Sequence, residues 1–342
     1  MKIAGSTRNF FNINSRSYFW QRQGQNHSYQ YNLGMLTFSG QQTARPFLKW
    51  AGGKGQLLTQ LERLFPPALH EGSIQRYIEP FVGSGALFFR VRQAYLIQEY
   101  MLADVNPELV LAYKTIQQDV ESLLTELGDL EGRYLPLDEG ARRDFYYHIR
   151  QQYNLGRGRL SLEEFQPAWV NRTAQMLFLN RTCYNGLFRL NASGAFNVPF
   201  GRYTNPRLLD AENLRLVSRL LQGVSITCDD FTAIESQVDA TTFVYFDPPY
   251  RPISKTAHFT SYSQHNFDDA QQLRLANFFR CLDGYGARLM LSNSDPHNLD
   301  PGDNFFEQAY PGFRIERVLA GRNINSQSQK RAPISELVIL NY

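Results

Sequence analysis

The sequence predicts an α/β fold, a mostly parallel sheet with covering helices that is interrupted once by a long, mainly helical insertion. Three features point to it. From residue 45 onward, short β-favouring runs alternate with segments of helical spacing. Two of those runs end in segments suited to a ligand at the carboxyl edge of an open sheet, the Gly-rich "FVGSG" and the stiff "DPPY". Between about 107 and 180 the helical pattern continues without a strand, which breaks the alternation.

The elements come in order. "RYIEP" (76–80) reads as a strand running into the Gly-rich turn, and "ALFFRVRQAYL" has helical spacing. "YMLAD" (100–104) is strand-like again. Asn106 and Pro107 then make a helix start, with Asn as N-cap and Pro at the first helical position. After the helical stretch come "VSITC" (224–228), "TFVYF" (242–246), "ARLMLS" (287–292), "FRIERVL" (313–319) and "ISELVILN" (334–341). No internal repeat is visible.

Composition bounds the function. A chain of 342 residues with 43% hydrophobic content suffices for one large domain or two smaller ones around a sizeable core. No apolar run approaches the roughly 20 residues that span a bilayer, and "MKIAGSTRNFFNINSRS" lacks the apolar segment of a signal peptide. A cytoplasmic protein with no membrane partner is expected. Cys183, Cys228 and Cys281 are odd in number and lack metal-ligand spacing, so they read as reduced thiols in or near the core, with no metal site. Residues 1–42 are rich in Asn, Gln, Ser, Gly and Tyr and read as a disordered extension, with Met35 as a second candidate start.

A net charge of +3 names no partner, but its distribution is informative. From Phe165 to Leu209 there is no Asp or Glu, while Arg172, Arg181, Arg189, Arg202 and Arg207 are present; Arg322, Lys330 and Arg331 form a second basic stretch. Such imbalance is the footprint of a nucleic-acid surface. The plainer reading is a solvated arginine-rich face.

Two strand ends carry the chemistry. In "FVYFDPPYRP" (243–252), Pro248 and Pro249 have no amide hydrogen, so the strand stops at Asp247 and its carboxylate stands on a stiff stub. A turn-forming Asp-Pro at a strand end is the competing reading. In "EPFVGSGAL", Gly83 and Gly85 let the backbone approach a ligand, and Asp104 ends the next strand. That is how a doubly wound sheet holds an adenosine, with the acid accepting from the ribose hydroxyls. "LKWAGGKG" fails as a phosphate loop, because Leu48 stands where a Gly is needed and Gly55 where a Ser or Thr is needed.

The exocyclic amino group of adenine is a weak nucleophile because its lone pair is delocalised into the ring. Two acceptors for its hydrogens, Asp247 and the carbonyl of Pro248, would favour a pyramidal nitrogen, and Tyr250 would offer a face for stacking. Attack on the methylsulfonium of S-adenosyl-L-methionine needs no metal and no covalent enzyme intermediate, so catalysis rests on positioning and electrostatics.

From Pro46 to Tyr342 the chain closely resembles the Dam-type, D12 class DNA adenine-N6 methyltransferases. The resemblance rests on "FLKWAGGKGQLL", "YIEPFVGSGALFF", "ADVNPELV", "NRTCYNGLFRLNASGAFNVPFGRY", "VYFDPPYRP" and "GRNINSQSQKRAPISELVILNY". It implies a Rossmann-like S-adenosylmethionine-dependent sheet in 43–115 and 225–342, with an inserted, mainly helical target-recognition domain in 116–224 carrying a β-hairpin. It implies that Trp50, Lys54, Phe81 of the "EPF" turn, Asp104, and Asp230 with Phe231 line the cofactor, and that Asp247, Pro248, Pro249 and Tyr250 hold the target adenine.

The same resemblance makes "GLFRL", "NASG" and "AFNVPFG" a hairpin in a groove of double-stranded DNA. Arg189 would read a guanine, Tyr184 and Asn185 would act where the target base leaves the stack, Leu187 and Pro199 would contact bases, and Lys49 would reach the outer base pair. GATC is the site this subgroup most often modifies. On spacing alone, Tyr184 and Leu187 also fit as packing under the hairpin. Arg202 and Arg207 read as phosphate contacts. A methyltransferase of cytosine N4, RNA or a protein amide, and a non-catalytic DNA-binding regulator, are the rival readings. Whether a separate restriction endonuclease shares the site is left open by one chain.

Overall fold

The computed structural model describes residues 43–158, 161–252, 267–320 and 334–342. The expected extension 1–42 and the basic residues Arg322, Lys330 and Arg331 lie outside them. Among the described residues one sheet has seven strands, β1 (Arg76–Glu79), β2 (Glu99–Ala103), β3 (Ser225–Thr227), β4 (Thr242–Phe246), β5 (Arg288–Ser294), β6 (Arg314–Ala320) and β7 (Ile334–Leu340). Their order is β3-β2-β1-β4-β5-β7-β6. The first five strands pair in parallel, and β7 lies antiparallel between β5 and β6. This is the mostly parallel sheet that the residue pattern predicts, in the Rossmann-like arrangement that the resemblance implies.

The order matters for the site. The chain builds outward from β1 through β2 to β3, then returns to β1's other side with β4. The crevice beyond the carboxyl ends of β1 and β4 is therefore the topological switch point, where open α/β sheets bind ligands. All five residues of β4 are buried. Alternation sends Phe243 and Tyr245 into the core on one face, and Val244 and Phe246 into the core on the other. A strand covered on both faces is a rigid mount for the Asp-Pro-Pro-Tyr segment at its end.

Five short or medium helices come first: α1 (Leu58–Glu62), α2 (Pro67–His70), α3 (Ala86–Ala94), α4 (Pro107–Gln118) and α5 (Val120–Tyr134). As expected, Asn106 caps α4, its side chain accepting from Glu108 N and Leu109 N with Pro107 at the first helical position. Next come α6 (Glu139–Leu155), α7 (Ala168–Thr182) and α8 (Ala211–Leu221), and later α9 (Asp269–Gly284) and α10 (Phe305–Ala309). Residues of α4 to α8 share one continuous apolar core with one face of the sheet, and α4 runs across position 115. On the opposite face α9 and α10 pack with Val244, Phe246 and Leu291.

Three expectations need correction. The two hairpin strands are reduced to isolated antiparallel bridges, Leu190 with Phe196 and Cys183 with Phe200. The reason is competition for backbone groups: the carbonyl of Val198 accepts from the Tyr146 hydroxyl (2.7 Å) and Arg150 (3.1 Å), Asn154 takes both backbone groups of Phe196, and Pro199 has no donor. Second, Arg172 belongs to no exposed basic face: it is buried, ion-paired with Glu108 at 2.6 Å, and stacked over Tyr153. Third, Cys281 is exposed, whereas Cys183 is buried and Cys228 half-buried; all three are free thiols.

Candidate active site and nucleic-acid interface

The two strands at the switch point end alike, β1 in Glu79-Pro80 and β4 in Asp247-Pro248. Proline halts each ladder and leaves an acid at the lip. The segment after Asp247 is held from several elements. Gln272 of α9 donates to the Pro249 carbonyl (3.0 Å), Asn293 of β5 accepts from Arg251 N (3.0 Å), and the Ser294 hydroxyl donates to the Arg251 carbonyl (2.6 Å). The stub is thus fixed at both ends.

Lys54 is almost wholly buried against it. Its ammonium donates to the Tyr250 hydroxyl (2.5 Å) and to the Gly52 carbonyl (3.1 Å), and lies 2.9 Å from Asp247 Oδ1. The Tyr250 hydroxyl donates onward to Glu336 Oε2 of β7 at 2.5 Å. The ammonium also stands 4.2 Å from the centre of the Tyr250 ring. Burial pushes the Asp247 carboxyl up to about 6, and the Lys54 charge beside it pulls the other way. Burial pushes Glu79 further, to about 8, with the Asp247 charge adding to the rise; the Tyr77 hydroxyl, which donates to Glu79 Oε1 at 2.6 Å, opposes it. Both acids are thus held above the usual carboxylate range, Glu79 further than Asp247.

The Gly-rich turn lies next to this pair. Gly83 and Gly85 have φ of 48° and 69°, in the left-handed region that favours glycine. A Cβ at Gly85 would meet the Tyr113 hydroxyl oxygen at 2.5 Å, and one at Gly83 would meet Trp50 Cδ1 at 3.2 Å. Asp104, just past β2, accepts from Gly83 N (3.2 Å) and Asn106 N (2.9 Å). Burial lifts its carboxyl to about 6 against those two donors. Phe81 packs on Phe231, ring centres 5.4 Å apart, and on Phe267 at 5.6 Å. The Asp230 carboxylate pairs with Arg274 at 2.5 Å and accepts from Thr232 N, so it also caps the short 3-10 turn Phe231–Gln237. Partial burial would raise that carboxyl, but the Arg274 and Thr232 donors together with the Arg274 charge hold it down at about 2.

Trp50 links the Gly-rich turn to the expected DNA-facing segment, stacking on Phe188 with ring centres 5.3 Å apart. There, Tyr184 is 54% exposed and Leu187 is 39% exposed, so neither packs beneath the hairpin. Asn185 adopts φ 56° at the tip of the turn Tyr184–Gly186, and Pro199 is exposed. Arg189 Nε donates to Asn197 Oδ1 (2.7 Å) across the hairpin. Lys49 is exposed, with its ammonium 4.9 Å from the Tyr203 ring centre. Arg202 is exposed and Arg207 pairs with Asp210. Sequence reasoning missed Glu79, Glu336 and Tyr77. For Glu336 a signal exists, an acid within the apolar run "ISELVIL"; for Glu79 the matching acid-proline strand ends supply one.

Among the described residues no cluster of His, Cys, Asp and Glu could hold a metal, and no helix is long and apolar enough to cross a membrane. Fold and site together define a Rossmann-like enzyme with acid-proline strand ends at its switch point. Comparison with known proteins gives the family: residues 50–324 match the D12 class N6 adenine-specific DNA methyltransferases, and the chain belongs to that family. It is 49% identical over 299 residues to the Type II methyltransferase M.MjaIII of Methanocaldococcus jannaschii, covering 87% of this chain and 99% of the relative. It is 34% identical to the Type II methyltransferase M1.LlaDCHI of Lactococcus lactis (87% and 95% covered) and 31% identical to the DNA adenine methylase of Haemophilus influenzae (86% and 93%). The chain is thus an adenine-specific DNA methyltransferase, which sets aside the cytosine, RNA, protein-amide and regulator readings.

Proposed function

We propose that the enzyme transfers a methyl group from S-adenosyl-L-methionine to N6 of an adenine flipped out of duplex DNA, within GATC. The observation that carries this is the pairing of Asp247 with Lys54 and Tyr250 at the switch point, beside the Gly83 to Gly85 turn. The residues fit such a cofactor. Two left-handed glycines bend the backbone beneath the site, and Asp104 retains lone-pair capacity beyond its two backbone donors to accept from ribose hydroxyls. Trp50, Phe81 and Phe231 would supply apolar contacts to it, and Lys54 and Asp230 polar ones. When bound, the cofactor supplies an electrophilic methyl group.

The protein's own residues do the rest. Asp247, as a carboxylate, accepts one hydrogen of the amino group and the Pro248 carbonyl the other, which localises the nitrogen lone pair. The Tyr250 ring, held at its hydroxyl by Lys54 and Glu336, stacks on the base. Pro248 and Pro249 keep both acceptors in a fixed plane. Tyr184 and Asn185 stand where a base would leave the stack, Arg189 reads a guanine, Leu187 and Pro199 touch bases, and Lys49 reaches an outer pair. Arg202 and Arg207 contact phosphates, and Arg322, Lys330 and Arg331 add basic charge for DNA binding. Residues 116–224 act as the target-recognition domain and 43–115 with 225–342 as the catalytic one. Type II names among the relatives support a separate restriction endonuclease as a partner at the same site. The test is single-molecule sequencing of DNA from a host expressing the chain: N6-methyladenine at GATC supports the reading, another site overturns the specificity, and no modified adenine overturns the activity.

A further inference from the structure

Asn180, at the end of α7, is 2% exposed and uses its whole amide on two separate backbone segments. Its Oδ1 accepts from Lys49 N (2.8 Å), while its Nδ2 donates to the Lys49 carbonyl (2.8 Å) and to the Gly186 carbonyl (2.9 Å). One side chain thus ties the residue that carries Lys49 to the turn that carries Tyr184 and Asn185. No other arrangement of that amide would satisfy all three backbone groups at once.

The Lys49 side chain is then constrained along its length. Its stem lies against Gly186, where an added Cβ would meet Lys49 Cδ and come within 2.9 Å of Lys49 Cβ. Its head lies over the Tyr203 ring. A flexible lysine held at backbone, stem and head loses little further freedom when it meets a base. Asn180 itself is buried and holds Lys49 through that residue's backbone alone.

We propose that Asn180 is a specificity-positioning residue: by locking Lys49 in register with the Tyr184–Gly186 turn, it sets discrimination at the outer base pair that Lys49 reaches. The proposal rests on the reading of Lys49 as a base contact, and the test separates the two. Hemimethylated GATC duplexes leave one acceptor adenine, so the two outer pairs become distinguishable. kcat/KM would be measured on every single-base variant for the wild type, Lys49→Ala, Asn180→Ala and Asn180→Ser, with thermal melts for each. Asn180→Ser keeps a small neutral polar side chain but has a single donor and so cannot bond both carbonyls, and it serves where Asn180→Ala fails to fold.

All three variants should lower discrimination at the same outer pair by about tenfold or more, while discrimination at the remaining pairs changes by less than about threefold. If Lys49→Ala flattens that pair but folded Asn180→Ala, or Asn180→Ser, does not, the positioning role is wrong and the base contact stands. If Lys49→Ala leaves every pair unchanged, the base contact fails and the proposal with it. Equal losses at all positions for Asn180→Ala would make Asn180 a packing residue only.

Discussion

Lys54 and Asp247 form an ion pair of 2.9 Å that joins the loop before α1 to the end of β4, and the lysine is 4% exposed. The pair does two things. It steers Asp247 toward its ionised form against the cost of burial, and it pins Tyr250 through the same ammonium. Replacing Lys54 with Met should therefore leave Asp247 protonated at higher pH. The acid limb of kcat/KM should move upward by about one pH unit or more, and activity lost at neutral pH should return in part toward alkaline pH. A limb that stays in place would show that Lys54 does not govern this acid.

The wild-type profile has a defined sign. Asp247 acts as an acceptor only when ionised, and its carboxyl lies near 6, above the usual carboxylate range. Single-turnover methyl transfer at saturating cofactor should thus fall as pH drops through about 6. Asp247→Ala should cost on the order of a hundredfold or more above about pH 6, the gap narrowing below it, with cofactor affinity little changed. Near-normal turnover in a variant that still binds DNA would remove Asp247 from the chemistry.

Asp104→Ala tests the cofactor site. Loss of a charged acceptor for the ribose should weaken S-adenosyl-L-methionine binding by roughly 1.5 to 3 kcal/mol in calorimetry without DNA. Wild-type affinity should also fall with pH below about 6, where Asp104 gains its proton. An unchanged Kd would make Asp104 a brace for Gly83 and Asn106 alone.

Glu79 predicts a stability effect of opposite slope to the usual acid. Its carboxyl is raised in the folded protein to about 8, so between about 4.5 and 8 the folded chain binds more protons than the unfolded one. Its contribution is whole below about 4.5 and is lost as pH rises through 8. Glu79→Gln keeps the neutral shape. The difference in Tm between Glu79→Gln and the wild type should grow in favour of the variant from about pH 5 to about pH 8.5, and a constant difference would refute the assignment.

Arg189 and Arg202 should separate by kind of contact. Arg189→Ala should cost about 1 to 3 kcal/mol on the cognate site and flatten discrimination at one base position. Arg202→Ala should weaken cognate and altered sites alike and reduce the salt slope of binding. The readout is kcat/KM on single-base variants of GATC at two salt concentrations, since discrimination can enter at base flipping rather than at binding. Equal losses across the panel for Arg189→Ala would make it a backbone clamp.

The features legible in the residues alone are local: where strands stop, which turns need glycine, and which motif comes after which. Proline without a donor ends β4 after "TFVYF" whatever surrounds it, and Asn106-Pro107 caps α4 by its own chemistry. Tertiary packing settles which distant groups meet. Lys54 reaches Asp247, and Glu336 reaches Tyr250, only because β7 inserts antiparallel beside β5 and because a single core folds the first loop onto the sheet. Packing also selects which arginines face outward, since Arg172 finds Glu108 inside while Arg202 stays exposed. The hairpin holds by bridges and side-chain bonds in place of two strands, because Asn154, Tyr146 and Arg150 take the backbone groups a ladder would use. Strand ends and caps depend on a few neighbouring residues, whereas burial, charge pairing and competition for hydrogen bonds depend on elements whose proximity no local pattern encodes.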